Sequence, residues 1–182
     1  GQQNTWEELS AWHHSLLEGR DVLTLEQQAQ IKSLVEGIDN DYDKVKKLYT
    51  YMGEKMRYVS IQLGIGGLQP MTASETSRMG FGDCKALSFY LKTMLQAIGI
   101  ESEYVAISVN NARLYADYPN VQQMDHVILK VPLKERTLWV ECTNPYMPFG
   151  YIHDGIAGHD ALIIKPEGGV LERLPFRTDS LH

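Results

Sequence analysis

The sequence predicts an α+β fold, in which a helical first half is followed by strands. Apolar residues recur at spacings of three and four between residues 24 and 99, which is the helical period. After residue 103 they form short runs rich in β-branched and aromatic residues, which is typical of strands. Such segregation favours helices packed on a mostly antiparallel sheet. The length of 182 residues suits one domain.

Composition excludes several classes of protein. The chain is 43% hydrophobic and 22% charged, as expected of a globular domain. A net charge of −6 with scattered basic residues disfavours nucleic acid as a partner. No apolar run approaches the roughly 18 residues of a membrane span, and no segment has the pattern of a signal peptide. Two cysteines without CxxC spacing indicate individual thiol roles rather than a disulfide framework or a zinc site.

Three helices are predicted before Cys84. Thr24 and Gln27 have the form of a capping box, which predicts a helix ending near Gly37. Asp41 or Asp43 is expected to cap a second helix, whose apolar stripe runs from residue 45 to residue 56. A second capping box, at residues 72–75, starts a short third helix that stops at residue 80.

The clearest helix begins at Cys84 and closes at Gly99. One face of it carries Leu87, Leu91, Met94, Leu95 and Ile98. Before it lie a β-like run over residues 58–63 and a glycine-rich loop over 64–67. Five strands are predicted after it, at residues 104–109, 126–131, 138–142, 161–165 and 170–174. We expect a helical arm over residues 1–40 and a core over 41–182, forming one globular unit.

Cys84 follows a glycine turn, Gly80 to Gly82, and occupies the first turn of its helix. The free backbone N–H groups and the helix dipole there stabilise a thiolate. The same N–H groups can hold an oxyanion. The alternative is a small buried cysteine at a helix start capped by Asp83, and position alone does not decide between them.

His126 is the candidate base, because it opens a strand after a polar loop. An isolated histidine at a sheet margin is more often structural. Glu141 lies in the next, otherwise apolar strand, where a buried carboxylate needs a partner. If residues 132–135 form the hairpin loop, Val131 pairs with Arg136 and His126 lies directly opposite Glu141. With Cys84 as the nucleophile, such a pair would supply the base and the orienting acid of a catalytic triad.

These residues resemble the transglutaminase-like superfamily, which has a papain-like fold and a Cys-His-Asp triad in this chain order. The resemblance rests on Gly-Asp-Cys-Lys at residues 82–85, on Asp125 and His126 opening one strand, and on the Trp-Val-acid-x-Thr stretch at 139–143. It implies Cys84 as nucleophile, His126 as base and Glu141 as the orienting acid. The family's usual third residue is Asp, so Glu141 is a departure whose extra methylene shifts the carboxylate.

The resemblance is closest to bacterial members in which the core is a module of a larger, usually exported protein. It implies flanking domains, a periplasmic or extracytoplasmic location, and peptide or protein amides as substrates. Gln69 and then Tyr58 are the candidate oxyanion or substrate-binding residues, beside Asp83 and Asp125. No cofactor and no metal ion are expected, because the six histidines show no ligand spacing.

Two functions follow from the sequence. The first is a thiol enzyme that forms a thioester on Cys84 from an amide, either a cysteine peptidase or amidase, or a protein-glutamine acyltransferase. The second is a catalytically weak or inactive module that binds a peptide or glycan in the same cleft. Glu141 in place of Asp favours the second, whereas the presence of both Cys84 and His126 favours the first.

Overall fold

The computed structural model describes residues 4–60 and 68–176 and contains five α-helices. Their bounds are Trp6–Ser15 (α1), Leu25–Leu34 (α2), Asp41–Lys55 (α3), Ala73–Met79 (α4) and Cys84–Ala97 (α5). The strands of the main sheet all follow α5, as the α+β prediction required. No helix among the described residues is long and apolar enough to cross a membrane.

A five-stranded antiparallel sheet forms the second half of the fold, in the order β5-β4-β3-β6-β7. Its strands are Glu103–Ile107 (β3), His126–Pro132 (β4), Thr137–Val140 (β5), Asp160–Ile164 (β6) and Leu171–Arg173 (β7). Two short parallel strands, Arg57–Tyr58 (β1) and Phe81–Gly82 (β2), form a separate ribbon in front of α5. The prediction of α+β architecture with a mostly antiparallel sheet is confirmed.

Local sequence explains where the helices begin. The capping boxes of α2 and α4 are both present, with Thr24 and Thr72 each accepting a hydrogen bond from the backbone N–H three residues later. The cap of α3 is Asn40, and not Asp41 or Asp43, because the Asn40 side chain already accepts the Asp43 N–H.

Helix α5 is the centre of the molecule, because it is buried on nearly every side. Leu87, Leu91 and Met94 belong to a core cluster shared with α3, whereas Cys84 and Phe89 pack in a second cluster on the sheet. The helix lies against β4. Cys84 therefore begins a helix whose position is fixed by packing along its whole length.

Helix α1 packs against β6 and is tied to the sheet by Ser10. The Ser10 hydroxyl donates to the Ile163 carbonyl at 2.7 Å and accepts the N–H groups of Lys165 and Gly169 at 3.0 and 2.8 Å. The indole N–H of Trp6 donates to the Ala116 carbonyl. These contacts join the N-terminal segment to the sheet, and the division into an arm over 1–40 and a core over 41–182 stays a prediction.

The predicted β-like run before the glycine-rich loop and the predicted β4–β5 hairpin both differ from the structure. Of the β-like run over 58–63, Tyr58 is the only residue within a strand among those described, and the glycine-rich loop lies outside the described residues. The predicted register of the β4–β5 hairpin is wrong: Pro132 pairs with Thr137, and the loop is residues 133–136. Leu133 N–H donates to the Arg136 carbonyl and closes that loop one residue later than expected.

Candidate active site

The turn before α5 places Cys84 at the first helical position. Asp83 caps the helix by accepting the Ala86 N–H at 2.9 Å, and its other oxygen forms a 2.7 Å ion pair with Lys85. A β-carbon added to Gly82 would lie 2.8 Å from the Cβ of Ala86, so only glycine allows the turn to approach the helix this closely. The Gly-Asp-Cys sequence is thus a condition for the position of the thiol.

The thiol is nearly covered, with 8% of Cys84 exposed. The N–H groups of Cys84 and Lys85 belong to the first turn of α5, where an α-helix offers no intrahelical acceptor. They point out of the helix end together with the positive end of its dipole. This end of the helix can therefore stabilise an anion beside the sulfur.

His126 and Glu141 form a short ion-pair contact, with 2.7 Å between Nε2 and Oε2. Thr143 fixes the other carboxylate oxygen, to which its backbone N–H donates at 3.0 Å and its hydroxyl at 2.6 Å. Glu141 is therefore held from both sides. Thr143 was not predicted as a site residue, although a threonine two positions after a buried acid is a recognisable local hydrogen-bonding pattern.

The geometry differs from the predicted one. The observed register places Leu129 opposite Val140, so that a continued ladder would put His126 opposite residue 143 and not opposite Glu141. The predicted register was wrong by two residues, which preserves the sheet face because side chains alternate with a period of two. Glu141 lies just after β5 and reaches His126 diagonally, with its longer side chain covering the offset.

Charge and burial act on the pair in opposite directions. Burial lowers the pKa of His126, but hydrogen bonds to Cys84 and Glu141 and the charge of both groups outweigh burial and raise that pKa to about 10. Burial raises the pKa of Glu141, yet its bonds to His126 and Thr143 leave it lowered. The pair is therefore an imidazolium and a carboxylate at neutral pH. Because Glu141 holds Nε2, Nδ1 is the ring nitrogen left to face the thiol.

Cys84 and His126 share a cavity of about 320 Å³. Its other walls come from His13, Leu68, Lys85, Ala106, Val121, Met124, Asp125 and Val127. A larger groove of about 790 Å³ lies near the C-terminal end of α5 and is lined by residues such as Lys92, Glu103 and Lys165. The smaller cavity is the candidate active site, because it contains the thiol and the imidazole.

The structure brings together three predicted residues and separates two others from them. Cys84, His126 and Glu141 are adjacent. The Gln69 amide is on the exposed surface and donates to the Leu16 carbonyl at 3.3 Å, and Tyr58 is 40% exposed in β1. Neither belongs to the cavity walls formed by the described residues.

The two predicted aspartates have structural hydrogen bonds near the cavity. Asp125 lines the cavity and accepts the Val109 N–H at 2.9 Å, which fixes the chain just before His126. Asp83 caps α5, as described above. Both therefore position the backbone beside the thiol and the imidazole, and the oxyanion donors on hand are the N–H groups of the helix start.

Comparisons with known proteins bear on the family and on the fold. A family model of the transglutaminase-like superfamily matches residues 28–144. A crystal structure of a candidate protease from Parabacteroides distasonis is similar over 96% of this chain, with a TM-score of 0.74 and 15% identity. The chain spans only 32% of that protein. No match to the chain was found among curated proteins.

Two further solved structures are less similar. A candidate cysteine protease from Cytophaga hutchinsonii covers 70% of this chain and is itself covered to 43%, with 14% identity and a TM-score of 0.49. LapG of Legionella pneumophila, in an EGTA-treated form, covers 82% of this chain and is itself covered to 76%, with 14% identity and a TM-score of 0.46. At these identities, likeness to solved structures concerns the fold alone.

Proposed function

Because the chain belongs to the transglutaminase-like superfamily, we propose that it is a cysteine-dependent enzyme that cleaves an amide bond through a thioester on Cys84. The observation that carries this proposal is the Cys84–His126–Glu141 arrangement, with its 2.7 Å contact between imidazole and carboxylate. A nucleophile at a helix start, a base within hydrogen-bonding reach and an acid behind the base are the parts that acyl transfer requires.

The first step forms the thioester. The Cys84 sulfur attacks the amide carbonyl carbon, a C–S bond forms, and the carbonyl oxygen gains negative charge beside the N–H groups of the helix start. The C–N bond then breaks, and the leaving nitrogen takes a proton from the His126 imidazolium. The raised pKa of His126, about 10, means that this proton is present at neutral pH.

The second step needs the same imidazole as a base. Acylation of Cys84 removes the hydrogen bond and the charge that contribute to the raised pKa of His126, so its pKa falls in the thioester. Neutral His126 then takes a proton from the incoming nucleophile, which attacks the thioester carbon and releases the sulfur. Water gives a peptidase or amidase, and an amine gives an acyltransferase.

The rival proposal, a module that binds a peptide or glycan without catalysis, depends on Glu141 being unable to replace Asp. The diagonal reach of Glu141 to His126 and its two bonds to Thr143 argue against that, since the carboxylate is held and charged where an orienting acid is needed. We therefore favour the enzyme.

Peptide or protein amides are the proposed substrates, since a solved structure similar over nearly the whole chain is described as a candidate protease. Because the chain spans about a third of that protein, we further propose flanking domains in the whole protein. An exported, extracytoplasmic location is proposed from the family resemblance alone. Detection of the protein in isolated periplasmic or secreted fractions tests the location.

The test is to trap the thioester. Protein carrying Cys142→Ala is mixed with a peptide library, quenched in acid within milliseconds to seconds and measured by intact mass, with the modified residue located by fragmentation. We expect an acyl adduct on Cys84 and products cleaved or transferred at an amide bond. The Cys84→Ala protein is the control. Tight peptide binding without adduct or product would instead support the binding module.

A further inference from the structure

The acid of the candidate triad lies beyond the end of its strand. Strand β5 ends at Val140, which pairs with Leu129, and the residues from Glu141 to Thr143 belong to no strand. Thr143 nevertheless holds one oxygen of the Glu141 carboxylate through its N–H and its hydroxyl. Because the sheet does not fix Thr143, its position depends on contacts made by the segment that follows.

That segment is a turn over residues 144–147, which lies against α3. The Tyr49 hydroxyl is 3.2 Å from the carbonyl oxygen of Asn144 and 3.2 Å from that of Met147, so its proton is shared between the two carbonyls. Within the turn, the Met147 N–H also donates to the Asn144 carbonyl. Asn144 directly follows Thr143 in the chain. Tyr49 therefore holds the turn at its first and last residues.

The ring of Tyr49 is held as well as its hydroxyl. Tyr49 is 9% exposed and packs on the ring of Phe149, with 5.3 Å between the two centroids. One helical turn further along α3, a β-carbon added to Gly53 would lie 3.1 Å from the Cβ of Pro145. Helix α3 and the turn therefore touch at two positions on one face of the helix.

The Tyr49 hydroxyl stays a hydrogen-bond donor over a wide pH range. Burial raises the pKa of Tyr49 to about 12, with smaller contributions from Cys142 and Glu141. The phenol therefore keeps its proton at every pH at which the triad could act. A phenylalanine ring would fill the same space but would leave both carbonyls of the turn without this donor.

We propose that Tyr49 is a positioning residue of the candidate active site: its hydroxyl fixes the turn and with it Thr143, and Thr143 then holds Glu141 against His126. Each step of this connection is a peptide bond or a hydrogen bond of 3.2 Å or less. A glutamate has one more rotatable bond than an aspartate, so it depends more on such a restraint. Without the Tyr49 hydroxyl, the carboxylate is held less firmly and supports the imidazole and the Cys84 thiolate less well.

The inference rests on the proposed function in taking Glu141 as the orienting acid, and the rate of Cys84 alkylation by iodoacetamide near pH 6 tests it without a substrate. The parent protein carries Cys142→Ala. We expect Tyr49→Phe to slow alkylation about three- to tenfold. In a Glu141→Ala background the same substitution should have no further effect, because its connection to the thiol is already broken. A tyrosine that only stabilised the fold would slow alkylation by the same factor in both backgrounds.

Tyr90→Phe is the matched control. Tyr90 is buried in the same core cluster, and its hydroxyl lies 3.3 Å from that of Ser77. This variant should lower the thermal midpoint about as much as Tyr49→Phe and keep the alkylation rate of the parent. If Tyr49→Phe fails to fold, Gly53→Ala decides, since its added methyl group presses on Pro145 while alanine favours the helix. It should slow alkylation in the same way, and an unchanged rate there would overturn the proposal.

The outcomes separate this inference from the proposed function. An unchanged rate in Tyr49→Phe beside a slower rate in Glu141→Ala would overturn the role of Tyr49 and leave the proposed function intact. Equal slowing by Tyr49→Phe and Tyr90→Phe, or additive effects of Tyr49→Phe and Glu141→Ala, would overturn it as well. If Glu141→Ala reacts as fast as the parent, the triad itself fails, and the role of Tyr49 fails with it.

Discussion

The carboxylate of Glu141 contacts the imidazole of His126 at 2.7 Å although the two residues are not opposite each other in the β4–β5 ladder. The offset is two positions along the hairpin. A glutamate just past the end of β5 spans that diagonal and is held there by Thr143. The departure from the family's usual aspartate is therefore matched by the local geometry.

Shortening this acid tests the match. In Glu141→Asp the carboxylate retreats by about one bond length from His126, and we expect turnover or thioester formation to fall about ten- to a hundredfold. Glu141→Gln, which keeps the length and loses the charge, should fall by on the order of 100-fold. Full activity in the aspartate variant would show that the length of Glu141 is unimportant.

The ionised pair also predicts a pH-dependent stability. The folded pKa of His126 is raised from 6.5 to about 10, so its contribution is complete below pH 6.5 and is lost as pH rises toward 10. The lowered pKa of Glu141 makes its contribution complete above about 4.5 and lost at lower pH. Near pH 6, the free energy of unfolding of the wild-type protein should exceed that of the His126→Gln variant by about 2 kcal/mol.

Denaturant unfolding of both proteins between pH 4 and pH 10, in reducing buffer, measures this difference. It should be largest between about pH 4.5 and 6.5 and shrink on either side. A difference that grows between pH 7 and 10 would contradict the assignment of His126 as an imidazolium.

Gly82 is predicted to be irreplaceable for a steric reason. An alanine there would place its Cβ 2.8 Å from that of Ala86, and we expect Gly82→Ala to lower the free energy of unfolding by about 1–3 kcal/mol and to slow reaction at Cys84. The double variant Gly82→Ala/Ala86→Gly removes the clash. Apart from the low helix propensity of glycine at residue 86, it should recover part of the lost stability and part of the lost reactivity of Cys84. No recovery would point to a cause other than this contact.

The attachment of α1 is predicted to depend on one hydroxyl. Ser10→Ala leaves the Ile163 carbonyl and the N–H groups of Lys165 and Gly169 without their partner, and should cost about 3 kcal/mol by denaturant unfolding. Ser15→Ala, at an exposed position of the same helix, is the control and should change stability by less than about 0.5 kcal/mol. Equal effects would show that Ser10 is not the anchor.

Periodicity and capping were sufficient to predict most elements, because Thr24, Thr72 and the stripe of α5 follow rules that act within one or two turns. Helix α1 was missed as a separate helix, since its buried face includes Ser10 and His13 and lacks a clear apolar stripe. The hairpin register was mistaken because Pro132 suggests a turn residue, yet it ends β4 by pairing with Thr137.

The candidate triad was predictable for a different reason. Cys84, His126 and Glu141 each stand at the start or end of an element, and the even register error kept the two side chains on one face. The hydrogen bonds of Tyr49 were not predictable, because they depend on how α3 packs against a turn far away in sequence.

The most direct test of the central claim is the rate of Cys84 alkylation by iodoacetamide as a function of pH, in protein carrying Cys142→Ala. We compare this parent with His126→Ala and Glu141→Ala. We expect fast alkylation of the parent already near pH 6 and slower alkylation in both variants. The contrary result is a rate that is the same in all three proteins and rises with pH as it does for a free cysteine, whose pKa is near 8.5. That result would contradict a Cys84–His126–Glu141 unit.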